Sequence, residues 1–231
     1  MSATELPVPP PHVPVALGAG KAPFEPPEGP TRLSNAPGTE FIYPELAHGS
    51  IRLLHLLPDK EQDGPLKCQL FDYPIRSTSD SERACLFEAL SYCWGSPEKT
   101  NWISIGDFYL PITASLHSAL VRLRDKFFGR VIWADAICIN QADNEERGRQ
   151  VQCMAEIYSK ANRVIVWLGE AAAGDDNAIQ AILEAGEKSS PLARDKLEAV
   201  DALLSRPWFR RIWVRRRTIP SKISLIDSTR R

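Results

Sequence analysis

The chain has 231 residues, 43% of them apolar and 25% charged. That is room for one domain with a substantial core plus tails, but cramped for two full domains. A formal net charge of -1 denies the whole molecule the long-range positive field that draws proteins to nucleic acid or anionic lipid. No apolar run reaches the roughly 18–20 residues of a membrane span, and the N-terminus lacks a basic-then-apolar signal pattern, so the sequence reads as soluble and cytoplasmic, with no membrane partner.

The five cysteines, Cys68, Cys85, Cys93, Cys138 and Cys153, form no C-x-x-C pair and lie mostly in apolar segments, which suits reduced core thiols. His12, His48, His55 and His117 are isolated, so no metal site is expected.

Residues 1–40 hold ten of the nineteen prolines and few large apolar residues, which predicts a disordered proline-rich leader. From Ser50 the pattern changes. Ile51–Leu57 and Cys68–Tyr73 read as strands, Phe87–Trp94 as a third, and Trp102–Ile105 with Phe108–Ile112 as a hairpin turning at Gly106-Asp107. Thr113 or Ser115 then caps a helix whose stripe is Leu116, Leu120, Leu123 and Phe127. Val131–Ile139 is almost continuously apolar, as a strand buried on both faces would be. A helix over Asn144–Lys160 carries Val151, Met154, Tyr158 and Ala161 on one side, and Arg163–Leu168 is a second buried strand. Residues 131–168 are therefore expected to form a parallel strand-helix-strand unit. Helices over 175–187 and 193–205 follow, the second ended by Pro207-Trp208.

Three segments, in this order and separation, resemble the fungal heterokaryon incompatibility (HET) domain family: Phe87-Glu88-Ala89-Leu90-Ser91-Tyr92-Cys93-Trp94-Gly95, Ile132-Trp133-Ala134-Asp135-Ala136-Ile137-Cys138-Ile139-Asn140-Gln141, and Arg206-Pro207-Trp208-Phe209-Arg210-Arg211-Ile212-Trp213-Val214. The resemblance covers roughly residues 50–214. It implies a domain that triggers incompatibility and cell death after non-self recognition, acting with protein partners or by self-association. The fold it implies is TIR-like: α/β, a mostly parallel sheet flanked by helices, with an N-terminal β-hairpin region. Since some TIR domains hydrolyse NAD with a helix-borne glutamate, the resemblance also implies NAD as a substrate in an alternative, NAD glycohydrolase reading; no bound cofactor is expected. After Val214 the chain departs from the family pattern, and Arg215-Arg216-Arg217 open a basic, aperiodic stretch over 215–231, expected to be an irregular tail of a truncated domain. The domain itself is expected over 41–214.

Ligands of open parallel sheets sit beyond the carboxyl ends of strands, where Asp135, Asn140 and Gln141 lie, with Trp94 at another strand exit. These four are the candidate ligand-binding residues. Asp135 interrupts an apolar run, which requires either a ligand or hydrogen bonds to the following loop. Glu145 and Glu146 open the helix that the enzyme reading would use for its acid, and both are candidate catalytic residues. The competing role is structural: Asp143 and Glu146 have capping-box spacing, and acids suit the first turn of a helix. Cys93 and Cys138 have no basic neighbour in sequence to activate them. Arg210, Arg211 and Arg215–Arg217 form one basic cluster, the basis of a third and weaker reading as a nucleic-acid binder.

Overall fold

The computed structural model describes residues 38–61, 64–75, 87–188, 196–210 and 223–226. The proline-rich leader to residue 37, and Arg211 and Arg215–Arg217 of the basic cluster, lie outside the described residues.

Alternating apolar residues and turn chemistry produce the first half. β1 (Thr39–Glu40), β2 (Ser50–Leu56), β3 (Lys67–Pro74), β4 (Glu88–Tyr92), β5 (Asn101–Ile105) and β6 (Phe108–Ile112) follow in order. The β5–β6 hairpin forms as expected, Ile105 opposite Phe108, with Gly106 at φ 60° in the left-handed region that a two-residue turn needs. Thr113 caps α1 (Ala114–Leu123), its side chain accepting from the Leu116 amide. Leu116, Leu120 and Leu123 are buried, each stabilising the fold by about 1.5–3 kcal/mol relative to exposure. Phe127 does not extend the stripe. The helix ends at Leu123 because Arg124 turns to an extended backbone and sends its guanidinium to the carbonyls of Gly64 and Pro65.

The run Val131–Ile139 is not one strand. β7 is Arg130–Trp133, and Asp135–Cys138 is a single helical turn, α2. Ala134 O takes the amides of Ile137 and Cys138, while the Asp135 carboxylate takes the Ala136 amide at 2.8 Å. α3 (Asn144–Lys160) and β8 (Arg163–Trp167) follow, then α4 (Asp175–Lys188), α5 (Leu197–Leu204), a 3-10 turn at Pro207–Arg210, and β9 (Ile223–Ile226).

The expected α/β architecture is present, and the sheet is mixed, with five parallel and three antiparallel pairings among the described strands. Among the described residues it has nine strands in the order β1-β6-β5-β3-β2-β7-β4-β8-β9. β2 runs antiparallel to both neighbours, β3 and β7, and so joins the hairpin region to a parallel block of β7, β4, β8 and β9. β7 and β8 are parallel, as the strand-helix-strand reading requires, yet they do not touch: β4 is inserted between them. Part of the stretch expected to be an irregular tail supplies β9, paired with β8 from Val164↔Ile223 to Trp167↔Ile226.

Side-chain alternation sorts the two faces. Leu90, Ile165 and Trp167 join the large core with α1, α2 and Ile157 of α3. Ala89, Val164 and Val166 face α4, α5 and Trp208. Of the stripe expected on α3, Met154, Tyr158 and Ala161 pack against the core, but Val151 is 43% exposed, and Glu146, Gln150 and Ile157 are buried beside them. Gln150 faces inward to donate to Ser50 O, and Glu146 occupies the core-facing side because the strand beneath carries a charge.

Candidate functional site

That charge is Arg52 of β2, 1% exposed. An unpaired guanidinium there would be very costly, and the chain closes a bidentate pair over it. Arg52 Nη1 donates to Glu146 Oε1 at 2.5 Å and Nη2 to Oε2 at 3.0 Å. Nη2 also donates to Pro44 O at 2.6 Å, and the guanidinium carbon lies 5.1 Å from the Tyr43 ring centroid, within cation–π range. The Tyr43 hydroxyl donates to Ile137 O at 2.8 Å, and burial pushes its pKa well above the ordinary value.

Glu146 does more than pair. Its Oε1 also accepts the Asn140 amide at 2.7 Å, so one carboxylate fixes β2 and the α2–α3 loop together. Asp143 caps α3 by accepting from the Glu145 and Glu146 amides, but Glu146 does not reach back to close a capping box, because Arg52 and Asn140 occupy it. Both oxygens are therefore engaged and the residue is 3% exposed. This geometry suits a positioning residue that ties β2 to the start of α3. Glu145 points to solvent at 91% exposure, with Arg149 at 4.0 Å.

The four candidate ligand-binding residues fall at the carboxyl ends of β4 and β7. Trp94 Nε1 donates to both Asp135 oxygens at 3.2 Å. Gln141 Nε2 donates to Asp135 O at 2.8 Å, and Asn140 Oδ1 accepts the Ala142 amide at 3.2 Å. Ser115 Oγ, in the first turn of α1, holds Cys93 O at 2.7 Å, with Gly95 at φ 71° turning the chain away. Trp94, Asp135 and Gln141 thus form one connected group, Trp94 remaining 39% exposed. The Asn140 amide bonds instead to Glu146, and Glu145 does not join the group.

A second tryptophan donor completes the assembly. Trp208 Nε1 donates to Ser91 Oγ at 3.0 Å. Consequently the segment around residues 87–95 is bonded to the 132–141 segment by Trp94 and to the 206–214 segment by Trp208. Sequence reasoning singled out Trp94 but not Arg52, Tyr43 or Ser91. A signal for Arg52 was available: it is the single formal charge in the run Ile51–Leu57, apolar apart from it and His55.

Two further charge clusters brace the same elements. Glu88 pairs with Arg130 at 2.7 Å and with Arg163, linking β4 to its neighbours β7 and β8. Asp175 takes Arg206 at 2.5 Å and the Ala172 amide at 2.7 Å. The cysteines offer no activated thiol in the core, since burial pushes Cys68 and Cys138 up to about 12. Burial, then Arg124, lowers the pKa of His117. A depression of about 240 Å³ lies apart from the tryptophan group, lined by His48, Ser50, Arg149, Gln150 and Cys153 among others. Among the described residues no helix is long and apolar enough to cross a membrane.

The family model described as heterokaryon incompatibility protein (HET) matches residues 87–216. The chain is 30% identical to a Neurospora crassa protein, heterokaryon incompatibility protein 6, OR allele, over an alignment covering 76% of this chain and 33% of that protein. The chain thus spans about a third of the length of the curated relative it matches. No solved structure matches it.

Proposed function

We propose a function from one premise: this chain belongs to the heterokaryon incompatibility protein (HET) family, whose model covers more than half of it. The proposed role is in fungal incompatibility, as a cytoplasmic signalling module that turns non-self recognition into programmed cell death through contacts with protein partners or its own copies. The observation that carries this reading is the joining of the three family segments by Trp94–Asp135 and Trp208–Ser91. Residues spread over more than a hundred positions serve one local arrangement, as expected if that arrangement is what the domain presents. A contact role is favoured over bond-breaking by Glu146, whose carboxylate is committed to Arg52 and Asn140. The alternative, a TIR-like NAD glycohydrolase using Glu145 or Glu146, rests on the resemblance alone.

The test is inducible expression of this chain in a fungal host, scored by growth and vital-dye uptake. Growth arrest and dye uptake are expected, and both should be lost in Asp135→Ala and Trp208→Ala at unchanged protein level. Normal growth at full, soluble expression would refute the proposal. Depletion of cellular NAD that disappears in Glu145→Ala would transfer support to the glycohydrolase.

A further inference from the structure

Large apolar side chains left in solvent are not scattered evenly. Phe127 and Phe128, adjacent on the turn between α1 and β7, are 70% and 73% exposed. The turn that carries them is fixed. Asp125 Oδ1 accepts the amides of Phe127 at 2.7 Å and Phe128 at 3.0 Å, and Asp125 O accepts the Asp59 amide at 3.1 Å. Two aromatic rings held out by a preorganised turn have little ordering entropy left to lose on contact, which is the character of an interaction surface. Beside them Lys126 is exposed and has no ion-pair partner among the described residues.

A surface of matching composition lies elsewhere on the molecule. Along α5, Leu197, Asp201 and Leu204 recur at i, i+4 and i+7, a spacing that places them on one side of the helix, and all three are exposed. The leucines are 46% and 47% exposed, and α4 adds Ile182 at 39% and Leu183 at 50%. Neither Asp201 nor the nearby Glu198 has an ion-pair partner among the described residues. Two apolar residues flanking an acid on α5 complement two aromatic rings flanked by a lysine on the turn.

We propose that the Phe127–Phe128 turn of one copy docks on the α4–α5 surface of a second copy, with Lys126 facing Asp201 or Glu198. This deepens the assembly reading above and rests on it. The two surfaces belong to different elements, so the contact is head-to-tail and extends from copy to copy unless the rotation closes a ring. Each ring buries about 150–250 Å² at most, so the turn alone falls short of the roughly 800 Å² per partner of a stable interface. Assembly is therefore weak and depends on concentration, as a device triggered by clustering requires.

Sedimentation velocity of the full chain over a wide concentration range tests the proposal, with Phe127→Asp/Phe128→Asp and Leu197→Asp/Leu204→Asp as the two variants and thermal melts to confirm that each folds. If either aspartate pair unfolds the chain, Phe128→Ser and Leu204→Ser replace them. The wild type is expected to grow beyond a dimer with concentration, and each variant to stay monomeric. An equal mixture of the two variants should form a dimer and nothing larger, because each retains one intact surface. A wild type that stays monomeric at every concentration would overturn this contact and self-association with it, leaving only contacts with other protein partners. Variants that assemble like the wild type, or a mixture that stays monomeric, would overturn the contact alone and leave assembly standing.

Discussion

Replacing Glu146 by alanine isolates the effect of the buried pair. The change leaves a guanidinium that is 1% exposed with only Pro44 O and the Tyr43 ring as its described partners. It also deletes three hydrogen bonds to a charge, two from Arg52 and one from the Asn140 amide. Removing one member of a buried ion pair costs about 3–5 kcal/mol. At about 2–4 °C per kcal/mol for a domain of this size, the melting temperature should fall by roughly 6–20 °C. Circular dichroism melts of Glu146→Ala, Arg52→Met and the double variant Arg52→Met/Glu146→Leu form the assay. The double variant should recover most of the loss, since it removes both desolvated charges and fills their volume with apolar atoms. A Glu146→Ala protein melting within about 2 °C of wild type, or a double variant as unstable as both single losses added, would refute the reasoning.

Other expectations follow from the same contacts. Trp94→Phe removes the indole N–H from Asp135 at a part-exposed site, so it should cost about 0.5–1.5 kcal/mol in urea titrations, far less than Glu146→Ala. Glu88→Leu leaves Arg130 and Arg163 facing each other between β7 and β8, and amide exchange should accelerate in β4 and its two neighbours before the β5–β6 hairpin. Cys68 and Cys138, pushed up to about 12, hold roughly one part in ten thousand as thiolate near pH 8; mass spectrometry after iodoacetamide should find Cys93 and Cys153 labelled first among the four described thiols. For the two buried thiols the sign is definite: folding favours the protonated form, so their contribution is fully present below the unfolded thiol pKa and is lost as pH rises toward 12.

What was legible in the sequence is what short-range chemistry decides. The Gly106-Asp107 turn, the Thr113 cap and the Leu116–Leu120–Leu123 stripe each follow from a few neighbouring residues, and each formed. The apolar run Val131–Ile139 was misread because uniform burial carries no period: a strand buried on both faces and a strand followed by one helical turn look alike in it. Strand order was not legible at all, since the insertion of β4 between β7 and β8 is decided by contacts more than forty residues apart, Glu88 to Arg130 and Glu88 to Arg163.

Charge placement explains where the inner face of α3 departs from its apolar stripe. β2 is the strand that joins the mixed hairpin region to the parallel block, and it is buried over nearly its whole length, so a guanidinium in it has no route to water. Its counter-charge must come from a packed element, and Glu146 at the start of α3 supplies it, rotating α3 so that Glu146 and Gln150 face inward and Val151 faces out. Gln150 then donates to Ser50 O at 2.9 Å, a second tie between α3 and the start of β2. Met154, Tyr158 and Ala161 of the expected stripe do pack on the core, but the rest of the inner face of α3 is set in part by a charge on a strand nearly a hundred residues earlier. A buried arginine in an apolar strand therefore predicts a carboxylate on the helix that crosses it, and that helix is where apolar periodicity should be trusted least.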